Sequence, residues 1–214
     1  MKKWVVFVVL GAILAGCGSG GAKEASISES STEKSTETTS STKQSTAKTK
    51  ASSVKKKVTF KAADFQIEEA AYQIKIPDTW EVTSEEDFDF YASDENNPEV
   101  IMIYGMKKTD FEGIDAFKNA MIGQIVSDED VQIKEESRKE VPYQTAHYSG
   151  YLYTVATVSD GANVGIQYYF LETEADYVVV NIAGLPSFYD RNAETITEML
   201  NSFVSVEQMN TQNL

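Results

Sequence analysis

Only one part of this chain has the side chains to build a hydrophobic core. Of its 23 aromatic residues, Trp4 and Phe7 are the only two that precede residue 58, and the others lie between residues 58 and 214. A domain of about 150 residues buries about 70% of the surface that its unfolded chain exposes, which is ample for one core. Cys17 is the only cysteine, so no disulfide can form within the chain. We therefore expect one domain over residues 58–207, held by its core alone, with a short C-terminal tail over residues 208–214.

The first seventeen residues have the composition of an export signal. Lys2 and Lys3 precede an apolar run over residues 4–14, and small residues follow it. A positive start, a short apolar core and small residues before a cleavage site are the features of a secretory signal peptide. The run is also shorter than the ~20 residues that a membrane-spanning helix needs.

The end of this segment, Leu-Ala-Gly-Cys at residues 14–17, resembles the lipobox of bacterial lipoproteins. The resemblance implies that a diacylglycerol is attached to the thiol of Cys17 and that the signal peptide, residues 1–16, is removed. The mature protein would then be held by acyl chains such as palmitate on the extracytoplasmic face of the cell membrane. The lipid bilayer is therefore the first predicted partner.

Residues 17–57 have the composition of a tether. Eighteen of the forty residues from 18 to 57 are Ser or Thr, and Ile27 and Val54 are the only large aliphatic side chains among them. Such a segment cannot bury enough apolar surface to offset the entropy of ordering, so we expect it to be disordered. A long tether rich in Ser, Thr and Lys resembles those of lipoproteins from Gram-positive bacteria, which favours that type of cell envelope.

The charges are divided unequally between the two parts. Residues 1–57 contain ten Lys and four Glu, whereas residues 58–214 contain nine Lys or Arg and 29 Asp or Glu. A domain this acidic repels nucleic acid and anionic polymers, so no nucleic-acid partner is expected. It can attract cations or a basic partner, although an acidic surface also simply keeps an exported domain soluble.

From residue 58 the sequence alternates between apolar and polar residues, as β-strands do. We predict strands at residues 65–67, 72–76, 88–92, 99–106, 131–137, 143–157, 163–173 and 177–183. Helices are predicted over residues 110–126, capped by Asp110, and over residues 187–203. Ser-Asp-Gly-Ala at residues 159–162 predicts a hairpin turn. This order favours an α+β fold with a mainly antiparallel sheet and helices packed on it.

A sequence block near the start of the domain points to the same architecture. Residues 72–80, Tyr-Gln-Ile-Lys-Ile-Pro-Asp-Thr-Trp, resemble the strand, Ile-Pro, turn and Trp that open PsbP-like and Mog-like domains. The later elements can be laid on the order of that family over about residues 62–206. The resemblance implies an α/β/α sandwich and an accessory or binding role without catalysis. It carries no set of functional residues.

Side chains suited to catalysis or cofactor binding are scarce. His147, the only histidine, lies with Ser149 in a predicted strand, where neither a strained turn nor oxyanion donors are expected. One histidine and an acylated cysteine cannot supply the usual ligands of zinc, and no glycine-rich phosphate loop is present. Acidic clusters occur near residues 85–89, 94–95, 128–130 and 172–176, but none has the spacing of a calcium loop.

We therefore predict no catalytic residues, no cofactor, no metal site and no enzyme activity. A hydrolase that uses His147 with a serine, or a pair of carboxylates, is the catalytic alternative.

Tyrosines crowd into the second half of the domain. The candidates for a ligand-contacting face are Tyr148, Tyr151, Tyr153, Tyr168 and Tyr169. A row of tyrosines on one sheet face can stack on sugar rings or anchor a protein partner. Tyrosine also favours strands and fills the core beneath helices, so core packing is the competing interpretation.

Together these features predict a membrane-anchored extracytoplasmic lipoprotein that acts as a non-catalytic interaction or accessory module for another envelope component, most simply an envelope protein. The alternative is a lipoprotein that binds a solute or wall glycan through the tyrosine-rich face.

Overall fold

The computed structural model describes residues 57–128, 132–159 and 161–212. The predicted signal peptide, the predicted lipidation site Cys17 and the predicted tether up to residue 56 lie outside the described residues. In chain order the elements are β1 (Phe60–Ile67), β2 (Ala70–Pro77), β3 (Trp80–Thr83), β4 (Phe90–Asp94), β5 (Val100–Lys107), α1 (Ile114–Ser127), β6 (Lys139–Gln144), β7 (Ser149–Ser159), β8 (Ala162–Glu172), β9 (Asp176–Gly184), α2 (Pro186–Ser202), β10 (Val204–Ser205) and α3 (Val206–Gln212).

Two antiparallel sheets make up most of the described domain. The larger sheet has seven strands there, in the order β3-β4-β5-β9-β8-β7-β6, and the smaller has three, in the order β1-β2-β10. Strand β9 lies in the middle of the larger sheet, and all nine of its residues are buried. A strand buried on both faces reads as a continuous apolar run, as the Tyr-Val-Val-Val segment of β9 does.

The larger sheet is covered on both faces. Helix α1 packs on one face, where the buried side chains of Phe117, Met121 and Ile125 meet those of β8 and β9. Helix α2 and the smaller sheet cover the other face. The main contributors to that second core are Tyr72, Ile74, Ile76, Ile101, Ile103, Val178, Val180, Phe188, Met199, Leu200 and Phe203. The mainly antiparallel α+β fold predicted from the sequence, with helices packed on the sheet, is confirmed.

Close contact between the two sheets depends on a glycine. A Cβ atom added at Gly105 of β5 would lie 2.5 Å from Cγ2 of Ile67, at the end of β1. Real Cβ contacts are essentially never that short, so any larger residue must push the strands apart. Gly105 therefore sets how near the smaller sheet lies to the larger one.

The first helix begins later than predicted. Asp110 does not cap it but ends a short 3₁₀ turn over Lys108–Asp110, and α1 starts at Ile114. Gly113 lies between them with φ of 156°, a conformation that side-chain-bearing residues rarely adopt. That conformation interrupts the helical path, so the apolar spacing from residue 111 belongs partly to a loop.

Two of the predicted strands need correction. Residues 131–137 are not a strand in the part that is described: Ile133 makes one isolated bridge to Thr157, and Glu135–Ser137 form a 3₁₀ turn. The predicted strand at 143–157 is two strands, β6 and β7, separated by a turn. Oγ1 of Thr145 closes that turn by accepting hydrogen bonds from the backbone N–H groups of His147 (3.2 Å) and Tyr148 (2.9 Å).

Three short elements were not predicted: β3, β10 and α3. Residues 208–212 of the predicted C-terminal tail lie in α3. The predicted hairpin turn is present, because Ser159 pairs with Ala162 and Gly161 has φ of 78°, a value that suits glycine.

Candidate interaction cleft

A cleft of about 440 Å³ opens at one end of the domain, where the two sheets meet. Three separate parts of the chain line it: the β1–β2 turn and the start of β2 (residues 69–72), the β8–β9 turn (residues 174–175), and β10 with α3 (residues 205–207 and 210–211). Its volume falls within the ~300–1,000 Å³ that is usual for ligand pockets.

Local geometry fixes each wall of the cleft. Ile67 pairs with Ala70, which leaves Glu68 and Glu69 as a two-residue hairpin turn with φ of 50° at Glu68. In the β8–β9 turn, the backbone N–H of Asp176 donates to Oγ1 of Thr173 at 3.0 Å. Strand β10 pairs with β2 through Ser205 and Tyr72, and this pairing places the start of α3 beside the hairpin.

A buried hydrogen-bond network stands behind the cleft. The Tyr72 hydroxyl donates to Oδ2 of Asp176 at 2.8 Å and lies 2.8 Å from Oγ1 of Thr173. Burial raises the pKa of the Asp176 carboxyl, and the hydrogen bond from Tyr72 opposes that rise. The network joins the smaller sheet to the β8–β9 turn, so it holds two walls of the cleft together.

Tyr148 joins the third wall to the same turn. The backbone N–H of Ser205 donates to the Tyr148 hydroxyl at 2.7 Å. Burial raises the pKa of Tyr148, the hydrogen bond from Ser205 lowers it, and the nearby Glu174 carboxylate raises it further. The Tyr148 ring packs edge-on against Phe203, which also stacks on Tyr72. Tyr148 is therefore a positioning residue for the cleft.

The rim of the cleft is acidic. Glu69, Glu174 and Glu207 lie on three different elements, and the described lining contains no Lys or Arg. Glu69 is paired with Lys107 on β5, with 2.8 Å between Oε1 and Nζ, and this lysine lowers the pKa of Glu69. Nowhere in the described ranges do three or more Asp, Glu, His or Cys side chains come together as a metal site requires.

The five candidate tyrosines do not form one exposed face. Tyr148, Tyr153, Tyr168 and Tyr169 are only 1–5% exposed. They also lie on both sides of the larger sheet, with Tyr148 and Tyr169 in the core beneath α2 and Tyr153 and Tyr168 in the core beneath α1. Alternation along β7 and β8 separates them, and both faces of those strands are covered. This placement removes the support for a glycan-binding tyrosine face.

Tyr151 is the one candidate that is only partly buried. Nζ of Lys118, from α1, lies 4.1 Å from the centre of its ring. The same lysine contacts the Glu140 carboxylate on β6. Tyr151 therefore helps attach α1 to the edge of the larger sheet.

His147 lies in the turn between β6 and β7, not in a strand. Ser149 begins β7 and is exposed, and no hydrogen bond joins it to His147 within the described part of the chain. Several predicted acidic clusters have structural partners. Asp94 accepts hydrogen bonds from Asn96 and Asn97 within its turn, and Glu172 pairs with Lys108 at 2.6 Å.

Sequence patterns alone did not reveal the cleft. The acidic cluster at residues 172–176 lacks the spacing of a calcium loop, and Glu69 and Glu207 belong to no motif. Their common location depends on the pairing of β10 with β2, and a two-residue strand leaves almost no signal in a sequence.

No family model matches this chain, and no curated protein matches it significantly. Several solved structures resemble this protein in the path of the backbone. They include LpqN of Mycobacterium tuberculosis, described as involved in cell envelope biogenesis, at 10% identity and a TM-score of 0.49, over 68% of this chain and 91% of that one.

The similar structures also include CyanoP, the PsbP of Synechocystis, at 10% identity and a TM-score of 0.43 over 67% and 92% of the two chains. The Ran-binding protein Mog1p of Saccharomyces cerevisiae is similar at 12% identity and a TM-score of 0.49, over 72% of this chain and 98% of that one. The described domain has the antiparallel α+β fold that the PsbP-like and Mog-like resemblance implies. At these identities and TM-scores the likeness concerns the course of the chain and not its chemistry.

Within the described residues, no helix has both the length and the apolar character needed to cross a membrane.

Proposed function

We propose that this protein is a membrane-anchored extracytoplasmic interaction module, acting without catalysis, and that its acidic cleft is the place where another envelope protein docks. The observation that carries the proposal is the cleft itself: a groove with partly apolar walls and an acidic rim, backed by the packed rings of Tyr72, Phe203 and Tyr148. The Leu-Ala-Gly-Cys motif at residues 14–17 and the Ser/Thr-rich segment after it support the anchored location.

The architecture of the cleft suits a partner better than a substrate. Its walls come from three elements that are tied together by the Tyr72 and Tyr148 hydrogen bonds, so the groove is formed before anything binds. A preformed groove avoids the ordering cost that weakens many interfaces. Its negative charge also speeds encounter with a basic partner.

Photo-crosslinking on intact cells tests this function. A photo-reactive amino acid replaces Asn210, on the α3 wall, in the full-length protein, and the matched control carries it at Glu198, which is exposed on α2 outside the cleft. We expect one dominant envelope protein to be captured at position 210 and not at position 198. The same set of proteins captured from both positions, or none at position 210, would overturn the proposal.

A further inference from the structure

The walls and the rim of the cleft offer different chemistry. Ala70, Ala71, Ala175 and Val206 contribute small apolar groups to the lining. Carboxylates lie at the rim, one on the hairpin turn, one on the β8–β9 turn and one on α3. An occupant that matches both must have a slender hydrocarbon part and a positive end.

Two of the rim carboxylates lack a cationic partner among the described residues, although the Glu174 carboxylate already accepts a hydrogen bond from the Tyr148 hydroxyl. Glu174 and Glu207 pair with no Lys or Arg in the described part of the chain, whereas Glu69 already binds the ammonium group of Lys107. Lys107 lies outside the cleft lining, so this 2.8 Å pair engages Glu69 from the side of β5. Asp176 does not line the cleft, and its Oδ2 accepts the hydrogen bond from Tyr72.

The distribution of these acceptors favours lysine over arginine. A guanidinium group is a planar fork that is best matched by both oxygens of one carboxylate. A lysine ammonium is a compact charge with three donors on a flexible stem of four carbons, and it can be shared among acceptors from different directions. Glu174, Glu207, Asn210 and Thr211 supply side-chain oxygens from the β8–β9 turn and from α3.

We infer that the cleft receives a lysine side chain from an extended segment of the partner protein, with the methylene stem against Ala70, Ala71, Ala175 and Val206 and the ammonium between Glu174 and Glu207. This inference rests on the proposed function and names the chemistry by which the partner is recognised. Charge complementarity at a groove with apolar walls is what selects this occupant.

Binding of short synthetic peptides to the full-length protein in detergent micelles tests the inference. The probe is a fluorescent alanine-rich peptide with one central lysine, and its two relatives carry arginine or norleucine at that position. Norleucine retains the hydrocarbon stem and lacks the charge. We expect the lysine peptide to bind about fivefold more tightly than the norleucine peptide, a ratio in the range that one or two partly exposed ion pairs supply. It should also bind more tightly than the arginine peptide, because a planar guanidinium is matched less well by acceptors on different elements.

The double variant Glu174→Gln/Glu207→Gln should weaken binding of the lysine peptide by about fivefold. The matched control, Glu112→Gln/Glu198→Gln, makes the same change in net charge at exposed positions outside the cleft and should leave binding unchanged. Equal weakening by both pairs would show a general effect of charge and would overturn the inference. Equal or tighter binding of the arginine or norleucine peptide would overturn it as well.

The two proposals fail in distinguishable ways. Capture at position 210 without selective binding of the lysine peptide would leave the proposed function intact. It would overturn only the inference that the cleft binds a lysine side chain. Tighter binding of a cell-wall peptide with a free side-chain ammonium than of the lysine peptide would identify the wall as the source and overturn the assignment to a protein partner. Absence of capture at position 210 would overturn the function together with the protein partner.

Discussion

Individual buried polar side chains hold the cleft in shape. Tyr72 is 1% exposed and Asp176 is 3% exposed, so the hydrogen bond between them is shielded from water. A buried carboxyl group that loses its donor retains the full cost of leaving water. The Tyr72 hydroxyl is therefore important for the stability of the domain and for the position of the β8–β9 turn.

Removing this hydroxyl with Tyr72→Phe should lower the free energy of unfolding by about 1–3 kcal/mol. Chemical denaturation of the full-length protein measures the change. The matched control is Tyr143→Phe, which removes a hydroxyl that has no hydrogen-bond partner among the described residues, from a half-buried ring packed edge-on against Tyr169. An equal loss in both variants would show that the bond to Asp176 has no special role.

Glu99 makes stability depend on pH. Burial and the nearby Asp94 carboxylate raise its pKa from 4.5 to about 7, and Arg191 on α2 opposes the rise. The arginine is 3.9 Å from Oε1 of Glu99, too far for a close pair. Between these two pKa values the folded protein holds a proton that the unfolded chain has released. The contribution of Glu99 to stability is therefore largest at low pH and is lost as the pH rises through about 7.

The variant Glu99→Gln isolates this effect. The free energy of unfolding of the native protein, minus that of the variant, should fall as the pH rises from about 4.5 to about 7 and should then level off. Denaturation curves across this range measure it, with Glu198→Gln as a control for the change in net charge. A constant difference throughout would contradict the prediction.

At the scale of elements, long and strongly patterned segments were predictable and short ones were not. Strands β2, β5, β8 and β9 and helix α2 carry enough apolar residues at regular spacing to be recognised. Strand β10 has two residues and α3 has seven, so their structure comes from contacts with β2 and not from local pattern.

Turn chemistry explains the remaining differences at this scale. The break between β6 and β7 is a turn that Thr145 closes through both its backbone N–H and its hydroxyl, within a segment that otherwise favours strand. The tyrosines illustrate a second limit. Alternation correctly divides Tyr168 from Tyr169, but it cannot tell whether a face is covered. That depends on where α1 and α2 pack.

Contact between the two sheets can be tested at Gly105. We expect Gly105→Ala to destabilise the domain by about 1–3 kcal/mol, because the new methyl group overlaps Ile67 and forces β1 away from β5. Gly123→Ala on the exposed face of α1 is the control, because nothing lies within 4 Å of the added methyl group. Alanine favours a helix more than glycine does, so the free energy of unfolding should increase by about 0.5–1 kcal/mol. Opposite signs from the same substitution are the expected result in denaturation experiments.

At the scale of the whole molecule, the predicted location depends on Cys17, which lies outside the described residues. If Cys17 carries the lipid anchor, Cys17→Ser should move the protein from the membrane fraction to the medium or leave it uncleaved. Cell fractionation and detergent partitioning measure the outcome, with Ser19→Ala as the neighbouring control. Mature Cys17→Ser protein that still enters the detergent phase would contradict the lipoprotein prediction.

The position of the cleft on the β1–β2 hairpin has a mechanical consequence. Strand β1 spans ~26 Å at 3.3 Å per residue, with Val58 before its first residue and the cleft beside its last. If the protein is anchored through Cys17 and a partner binds in the cleft, the tension between them is directed along β1 and loads its eight pairs with β2 in shear. In shear the hydrogen bonds must yield together, whereas peeling breaks them one after another. The hairpin is thus loaded in the direction in which it resists force best.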